Sequence, residues 1–170
     1  MKKVVIVGSG GAGKSTLARQ LANKTNLPVV HLDAHYWQPG WKETERSVWI
    51  EMQQAMMAAD QWIIDGNYGS TMAARFEHAD TIIYLDLNRY LCIWRAIKRR
   101  IRYHNTIRPD MNNGCIERLD WQFLTWLWRY PIDTRPTTLA RLKAASLNKQ
   151  VIHLKSRREV KQFVAGLTST

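Results

Sequence analysis

Hydrophobic residues along this 170-residue chain gather into five short continuous runs: Val4 to Val7, Val29 to Leu32, Trp62 to Ile64, Thr81 to Leu85 and Val151 to Leu154. Each run is rich in Val and Ile and is closed by a turn or polar residue, which predicts five strands. The segments between them carry apolar residues at helical spacing, so strand and helix alternate. That alternation predicts an α/β fold in three layers, a five-stranded parallel sheet flanked by helices on both faces.

The helical segments differ in character. Ser15 to Lys24 places Leu17, Ala18 and Leu21 together, with Pro28 beyond as a stop. In Glu45 to Ala59 the stripe Val48, Met52, Ala55, Met56 and Ala59 predicts a core face, its methionines packing rather than ligating, with Thr44 as N-cap. From Arg89 to Tyr103, Tyr90, Ile93, Trp94, Ile97 and Ile101 share one side of a helical wheel and predict its core face, while Arg95, Arg99 and Arg102 fall on the other. No acidic residue lies between Leu87 and Pro109, so these arginines lack an ion-pair partner on their own helix. Asn105 to Gly114 has turn composition, carries Arg108 and is expected to be a mobile loop. Trp121, Phe123, Leu124, Trp126, Leu127 and Trp128 crowd a helix expected to end before Pro131; a lid-supporting core or a dimer face would cover that aromatic surface.

The length fits one domain over residues 1–170, against a norm of about 150 residues, and 45% apolar residues exclude disorder and collagen-like repeats. No run approaches the roughly 18 apolar residues of a membrane span, and no signal peptide or anchor is expected. Two cysteines, Cys92 and Cys115, are too few for a disulfide framework or a four-ligand zinc site, so a cytoplasmic setting is expected. The net charge is +11, and it is uneven: residues 1–88 hold 8 Lys/Arg and 9 Asp/Glu, residues 89–170 hold 17 and 5. The second half should meet a polyanion, either nucleotide phosphates or nucleic acid.

The nine residues Gly8-Ser9-Gly10-Gly11-Ala12-Gly13-Lys14-Ser15-Thr16 have the spacing of a phosphate-binding P-loop, glycine, four residues, then Gly-Lys-Ser. They follow a predicted strand and open a predicted helix, so their backbone N–H groups would cradle phosphate oxygens. Lys14 would bridge the β- and γ-phosphates and the Ser15 hydroxyl would ligate Mg²⁺. Asp33, Asp65 and Asp86 sit at carboxyl ends of predicted strands, where ligands of open parallel sheets bind. Asp65, before Gly66, is read as holding the Mg²⁺ water shell, and Asp33 as orienting or deprotonating an acceptor hydroxyl. Helix-cap or turn roles remain the alternative for all three, most of all for Asp86. His31 reads as a packed strand residue.

These residues resemble the small P-loop kinases built like adenylate kinase and, within them, the group labelled DNA topology modulation proteins. The resemblance covers nearly the whole chain, through the P-loop, His31-Leu32-Asp33, Trp37-Gln38-Pro39-Gly40-Trp41, Trp62 to Tyr68, Ala79 to Asp86, Arg95 with Arg99, Arg108 to Met111, and Gly114-Cys115. It implies a nucleotide-kinase type of fold, an acceptor-binding segment at about 33–61 and a short lid at about 99–120. It implies that Asp65-Gly66 starts the loop where an acid lies near magnesium. Arg95 and Arg99 look like the paired arginines of nucleotide kinases, one flanking adenine and one on the phosphates; at a spacing of four they share a helical face. Lys155 and Arg157 after the last strand resemble the loop that covers adenine, or are surface charge. The chain departs from adenylate kinases in having Asn67-Tyr68-Gly69 where they have Phe-Pro-Arg, so the arginine clamp on a monophosphate is missing there, and Arg75 is the candidate replacement.

The functional expectation is an ATP-dependent phosphotransferase acting on a small acceptor: a nucleoside, nucleotide or other metabolite. Lys14, Arg95, Arg99 and Asp33 would be catalytic, Asp65, Tyr68 and Arg108 would join the acceptor site, and ATP and Mg²⁺ would be required. The alternatives are an ATP-dependent nucleic-acid-binding protein affecting DNA topology, with weak nonspecific binding through the basic half, and a simple NTPase switch. A monomer or a homodimer would serve.

Overall fold

Val4, Val5, Ile6 and Val7 are completely buried because β1 (Lys3–Gly8) is the middle strand of a sheet covered on both faces. The computed structural model describes residues 1–167. After β1 come α1 (Lys14–Thr25), β2 (Val29–His31), α2 (Leu32–Tyr36), β3 (Trp37–Gln38), β4 (Lys42–Glu43), α3 (Arg46–Ala58), β5 (Trp62–Asp65) and α4 (Met72–His78). The chain continues through β6 (Thr81–Leu85), α5 (Arg89–Arg102), α6 (Trp121–Asp133), α7 (Arg135–Ala145), β7 (Gln150–Leu154) and α8 (Arg157–Ala165). The five predicted strands are all present, and they pair in parallel in the order β2-β5-β1-β6-β7.

The strand period of two divides the core. Val4 and Ile6 point to the layer of α1, α5 and α8 with Leu17, Leu21 and Cys92, whereas Val5 and Val7 point to the layer of α3, α4 and α7 with Trp49, Phe76 and Leu142. β5 lies on one side of β1 and β6 on the other, so a crevice opens at the carboxyl end of β1, and the Gly-rich loop begins there. Among the described residues no helix is long and apolar enough to cross a membrane.

Several helices turn differently from the sequence expectation. In α3 the buried residues are Trp49, Gln53 and Met57, one position beyond the predicted stripe, and Val48 is exposed. Glu45 caps this helix by accepting from the Ser47 N–H at 3.0 Å, while the Thr44 hydroxyl donates to the Tyr36 carbonyl at 2.6 Å. In α5 the predicted core face is outside: Tyr90, Trp94, Ile97 and Ile101 are 61%, 55%, 41% and 72% exposed. Its inner face carries the small residues Cys92 and Ala96, the Gly-rich loop lying against Cys92, flanked by Arg95 and Arg99. Replacing Ile101 with serine should therefore change stability by no more than about 0.5 kcal/mol in urea unfolding; a core residue would lose well over 1 kcal/mol.

α6 runs through Pro131 instead of stopping before it. The proline falls in the last turn, where one helical hydrogen bond is lost, and the Thr134 N–H still reaches the Tyr130 carbonyl at 3.1 Å. The segment expected to be a mobile loop is folded onto the β3–β4 hairpin. Asn112 Nδ2 donates to the Trp37 carbonyl at 3.1 Å, Trp41 Nε1 to the Ile116 carbonyl at 2.8 Å, and the Gly40 N–H to the Gly114 carbonyl at 3.1 Å.

Candidate active site

The chain leaves β1 at Gly8 and wraps through Ser9 to Gly13 into α1. Gly11 has φ 71° and lies so close to the Cys92 carbonyl that any side chain would strike it. Gly13, at φ 99°, is the N-cap of α1, and no side chain caps the first turn of this helix. Its backbone donors therefore stay available to an anion, and the helix dipole favours one. Lys14 Nζ donates to the carbonyls of Gly8 (3.0 Å) and Ser9 (3.1 Å), which curls the side chain over the loop. Burial pulls the Lys14 pKa below the ordinary lysine value, and the charges of Asp33 and Asp65 oppose that shift.

The far wall comes from β2, α2 and the end of β5. β2 and β5 are paired with His31 opposite Asp65, and His31 Nδ1 donates to Asp65 Oδ1 at 2.6 Å. Burial works against a charge on His31, but the hydrogen bond to Asp65 and the negative charges of Asp65 and Asp110 together outweigh it, and the His31 pKa is raised. His31 is thus a partner of the site's acid as well as a strand residue. In the first turn of α2, Asp33 accepts at Oδ1 from the Tyr68 hydroxyl (2.7 Å). Tyr68 is itself wedged against Tyr36 and Trp49, ring centroids 4.7 and 5.0 Å away.

Arg75 does not reach the acceptor side as expected. It is 0% exposed, and its guanidinium donates to the carbonyls of Gly66 (2.7 Å), Asn67 (2.5 Å) and Tyr68 (3.0 Å). Burial lowers its pKa to about 9. Arg75 is a positioning residue that fixes the loop after β5, and through it the hydroxyl on Asp33. Asn67 fixes the same loop to β1, accepting at Oδ1 from the Gly8 N–H at 3.0 Å. Asn67→Ala should cost about 1 kcal/mol in urea unfolding, the usual loss when such a donor is orphaned.

Asp86 stands apart from the crevice. Arg135 grips it at 2.8 and 2.9 Å and His153 Nε2 donates to it at 2.9 Å, so it ties β6 to β7 and α7. Arg135 and His153 together outweigh the effect of burial and hold its pKa below the carboxylate norm.

The segment at 103–120 supplies the third wall. Arg108, Asp110 and Glu117 are buried in it, and Ile107 and Ile116 bridge its two arms. Arg99 Nε donates to Glu117 Oε1 at 2.9 Å, Arg108 Nε lies 2.7 Å from Glu117 Oε2, and Arg108 Nη1 donates to Asp110 Oδ2 at 3.3 Å. Asp110 faces the Ser15 hydroxyl; burial would raise its pKa, but the charge of Arg108 and the Ser15 hydroxyl lower it on balance. Arg95 Nη1 donates to the Ala12 carbonyl at 3.0 Å. Burial, then the positive charge of Arg157, lowers the Arg95 pKa, so Arg157 lies on the same side of the P-loop. Lys155 is exposed, and its backbone N–H meets Glu159.

Asp110 and Glu117 have no role in the sequence reading. A signal existed: they are the first two acids after Asp86, within a run of arginines otherwise lacking counter-charges.

No family model matches the chain. The shikimate kinase of Rhodococcus erythropolis (strain PR4) is 31% identical over 104 residues, spanning 51% of this chain and 59% of that protein. Among solved structures, the fold matches shikimate kinase from Acinetobacter baumannii in complex with shikimate at a TM-score of 0.56, 14% identity, 97% coverage of this chain and 89% of that one. It matches a sugar kinase from Janibacter sp. HTCC2649 at 0.52 and 19% identity, covering 97% and 91% of the two chains. A gluconokinase from Sinorhizobium meliloti 1021 aligns at 0.52 and 13% identity, over 96% and 91%. The fold is that of the P-loop kinases.

Proposed function

We propose that the protein is an ATP-dependent phosphotransferase that moves the γ-phosphate of Mg-ATP to a hydroxyl of a small acceptor. The observation that carries this reading is the convergence of three elements on one crevice: the open N-terminus of α1 with Lys14, the Asp33–Tyr68 pair, and the Arg99–Glu117–Arg108 lid. ATP phosphates would lie on the loop from Gly8 to Thr16, with Arg95 and Arg157 on the adenine side. Lys14, Arg99 and Arg108 would neutralise charge on the transferring phosphoryl group. Asp33, with Oδ1 held by Tyr68, presents its other oxygen to the acceptor hydroxyl. The lid would exclude water, which competes with the acceptor. The similar proteins, two shikimate kinases, a sugar kinase and a gluconokinase, support the same class.

Among the described residues no three His, Cys, Asp or Glu side chains gather into a metal cage. Mg²⁺ is usually held by phosphate oxygens, water and one or two protein oxygens, and the Ser15 hydroxyl with nearby Asp65 or Asp110 fits that mode. When bound it would neutralise phosphate charge. We also place the chain in the DNA topology modulation group of the small P-loop kinases, on the motifs His31 to Asp33, Trp37 to Trp41, Asp65 to Tyr68 and Arg108 to Met111.

The test is ADP formation from Mg-ATP with a panel of nucleosides, nucleoside monophosphates, neutral sugars, shikimate and gluconate, each product checked by mass, and with duplex DNA in a separate arm. A phosphorylated small acceptor supports the reading. Stimulation by DNA alone favours the nucleic-acid alternative, which the basic second half makes reasonable. Arg99→Ala should lower kcat by about tenfold to a hundredfold while weakening ATP binding much less; equal losses would assign Arg99 to uniform binding.

A further inference from the structure

We propose that the phosphate acceptor is an uncharged, hydroxyl-bearing molecule, and that the site rejects acceptors carrying a carboxylate or a phosphate. This rests on the phosphotransferase reading and narrows it by charge. An enzyme that accepts an anionic molecule needs free cationic donors where its anionic group lies, usually guanidinium groups in a fork. The acceptor side of this crevice is built the other way.

Its carboxylates are Asp33, which accepts from the Tyr68 hydroxyl, and Asp65, which accepts from His31, with Asp110 opposite them and paired to Arg108. Asp33 and Asp65 both act on Lys14 from the far wall, and Asp110 reaches Ser15 from the lid and acts on His31. The guanidinium groups that might counter them are already engaged. Arg75 is sealed inside, donating to three carbonyls of the loop after β5. Arg108 arrives with two carboxylates of its own, Asp110 and Glu117, and Arg99 shares the second. The lid thus delivers two positive and two negative charges, and no net attraction for an anion. Lys14 and the α1 N-terminus remain positive, but they belong to the phosphates of ATP.

A second anion beside Asp33 and Asp65 would be repelled and stripped of water, with Arg99 and Arg108 already committed to Glu117 and Asp110. An uncharged acceptor meets the same groups as hydrogen-bond acceptors for its hydroxyls. In the transfer, the acceptor oxygen attacks the γ-phosphorus as its proton passes to the second carboxylate oxygen of Asp33. The new O–P bond forms, the bond from the γ-phosphorus to the β–γ bridging oxygen breaks, and ADP leaves with that electron pair. The neighbouring rings of Tyr36 and Trp37, 5.0 Å apart, add an apolar surface next to Asp33, suited to the ring face of a sugar or nucleoside.

Matched pairs that keep every hydroxyl and differ only in the anionic group isolate the charge: methyl shikimate against shikimate, gluconamide against gluconate, and methyl glucuronate against glucuronate, with glucose, ribose and adenosine as further neutral acceptors. The expected result is phosphorylation of at least one neutral member, with its anionic counterpart at least 100-fold lower in kcat/KM. Asp110→Asn should narrow that ratio by about tenfold. Turnover of an anionic member equal to or better than its neutral twin overturns the inference and leaves the kinase reading standing. A ratio unmoved by Asp110→Asn removes the proposed cause and overturns it too. If Mg-ATP fails to quench tryptophan fluorescence and no acceptor of either kind is phosphorylated, the phosphotransferase reading falls, and the inference with it.

Discussion

Replacing Lys14 with alanine is expected to lower ATP turnover by about a thousandfold or more while leaving the fold in place. A thousandfold corresponds to about 4 kcal/mol of transition-state stabilisation, the scale of a single preorganised charge acting where water is excluded. Lys14 meets those conditions. It is the first residue of α1, its ammonium group reaches back to the Gly8 and Ser9 carbonyls, and burial already disfavours its charge. Phosphate oxygens entering the loop would return to the ammonium group what burial removes, so its interaction strengthens when the nucleotide binds. The two carbonyls lose one donor each in the variant, and that of Ser9 keeps the Ala12 N–H as a second donor. Circular dichroism and the urea midpoint should move little. A variant that turns over ATP at the parental rate would overturn the P-loop assignment, and one that fails to fold would show that Lys14 holds the loop rather than its ligand.

The P-loop was legible in the sequence because everything that defines it lies within 16 residues: strand, glycine spacing, lysine, serine and helix start. The five strands were legible for a related reason, since strands of a sheet covered on both faces are continuous apolar runs that need no partner to be seen. Helix faces were not. α5 carries one stripe of large apolar residues and another of small residues beside arginines, and the hydrophobic rule picks the first. The fold buries the second because Cys92 lets the Gly-rich loop come close, and Arg95 follows it to the Ala12 carbonyl.

The site pairs were hidden by distance along the chain. His31 and Asp65 meet through the register of β2 on β5, and Asp33 and Tyr68 across the same pair of strands; neither follows without the strand order. Arg75 was misassigned because a lone arginine near an expected loop reads as a ligand clamp, whereas three converging backbone carbonyls give it a structural use that no residue pattern announces.

The same blindness hid Glu117, whose replacement carries the second large effect. Glu117 is 2% exposed and lies between two guanidinium groups, at 2.9 Å from Arg99 and 2.7 Å from Arg108. In Glu117→Ala the buried Arg108 and the partly buried Arg99 face each other with only Asp110 remaining, and breaking a fully buried network costs about 3–5 kcal/mol. Arg99 already has partial access to water, which softens the loss. The loss in urea unfolding should therefore sit near the lower end of that range, with amide exchange accelerated across residues 104–118, the lid arms that Glu117 holds. Glu117→Gln should lose less, since its amide oxygen still accepts from one guanidinium. Adding Mg-ATP separates the structural role from the functional one. If Arg99 and Arg108 serve the phosphates, the nucleotide replaces the missing counter-charge, and Glu117→Ala should gain more thermal stability from ATP than the parent does. An equal or smaller gain would mean that these arginines belong to the lid alone, leaving Lys14 and the α1 N-terminus as the cationic contribution to the transfer.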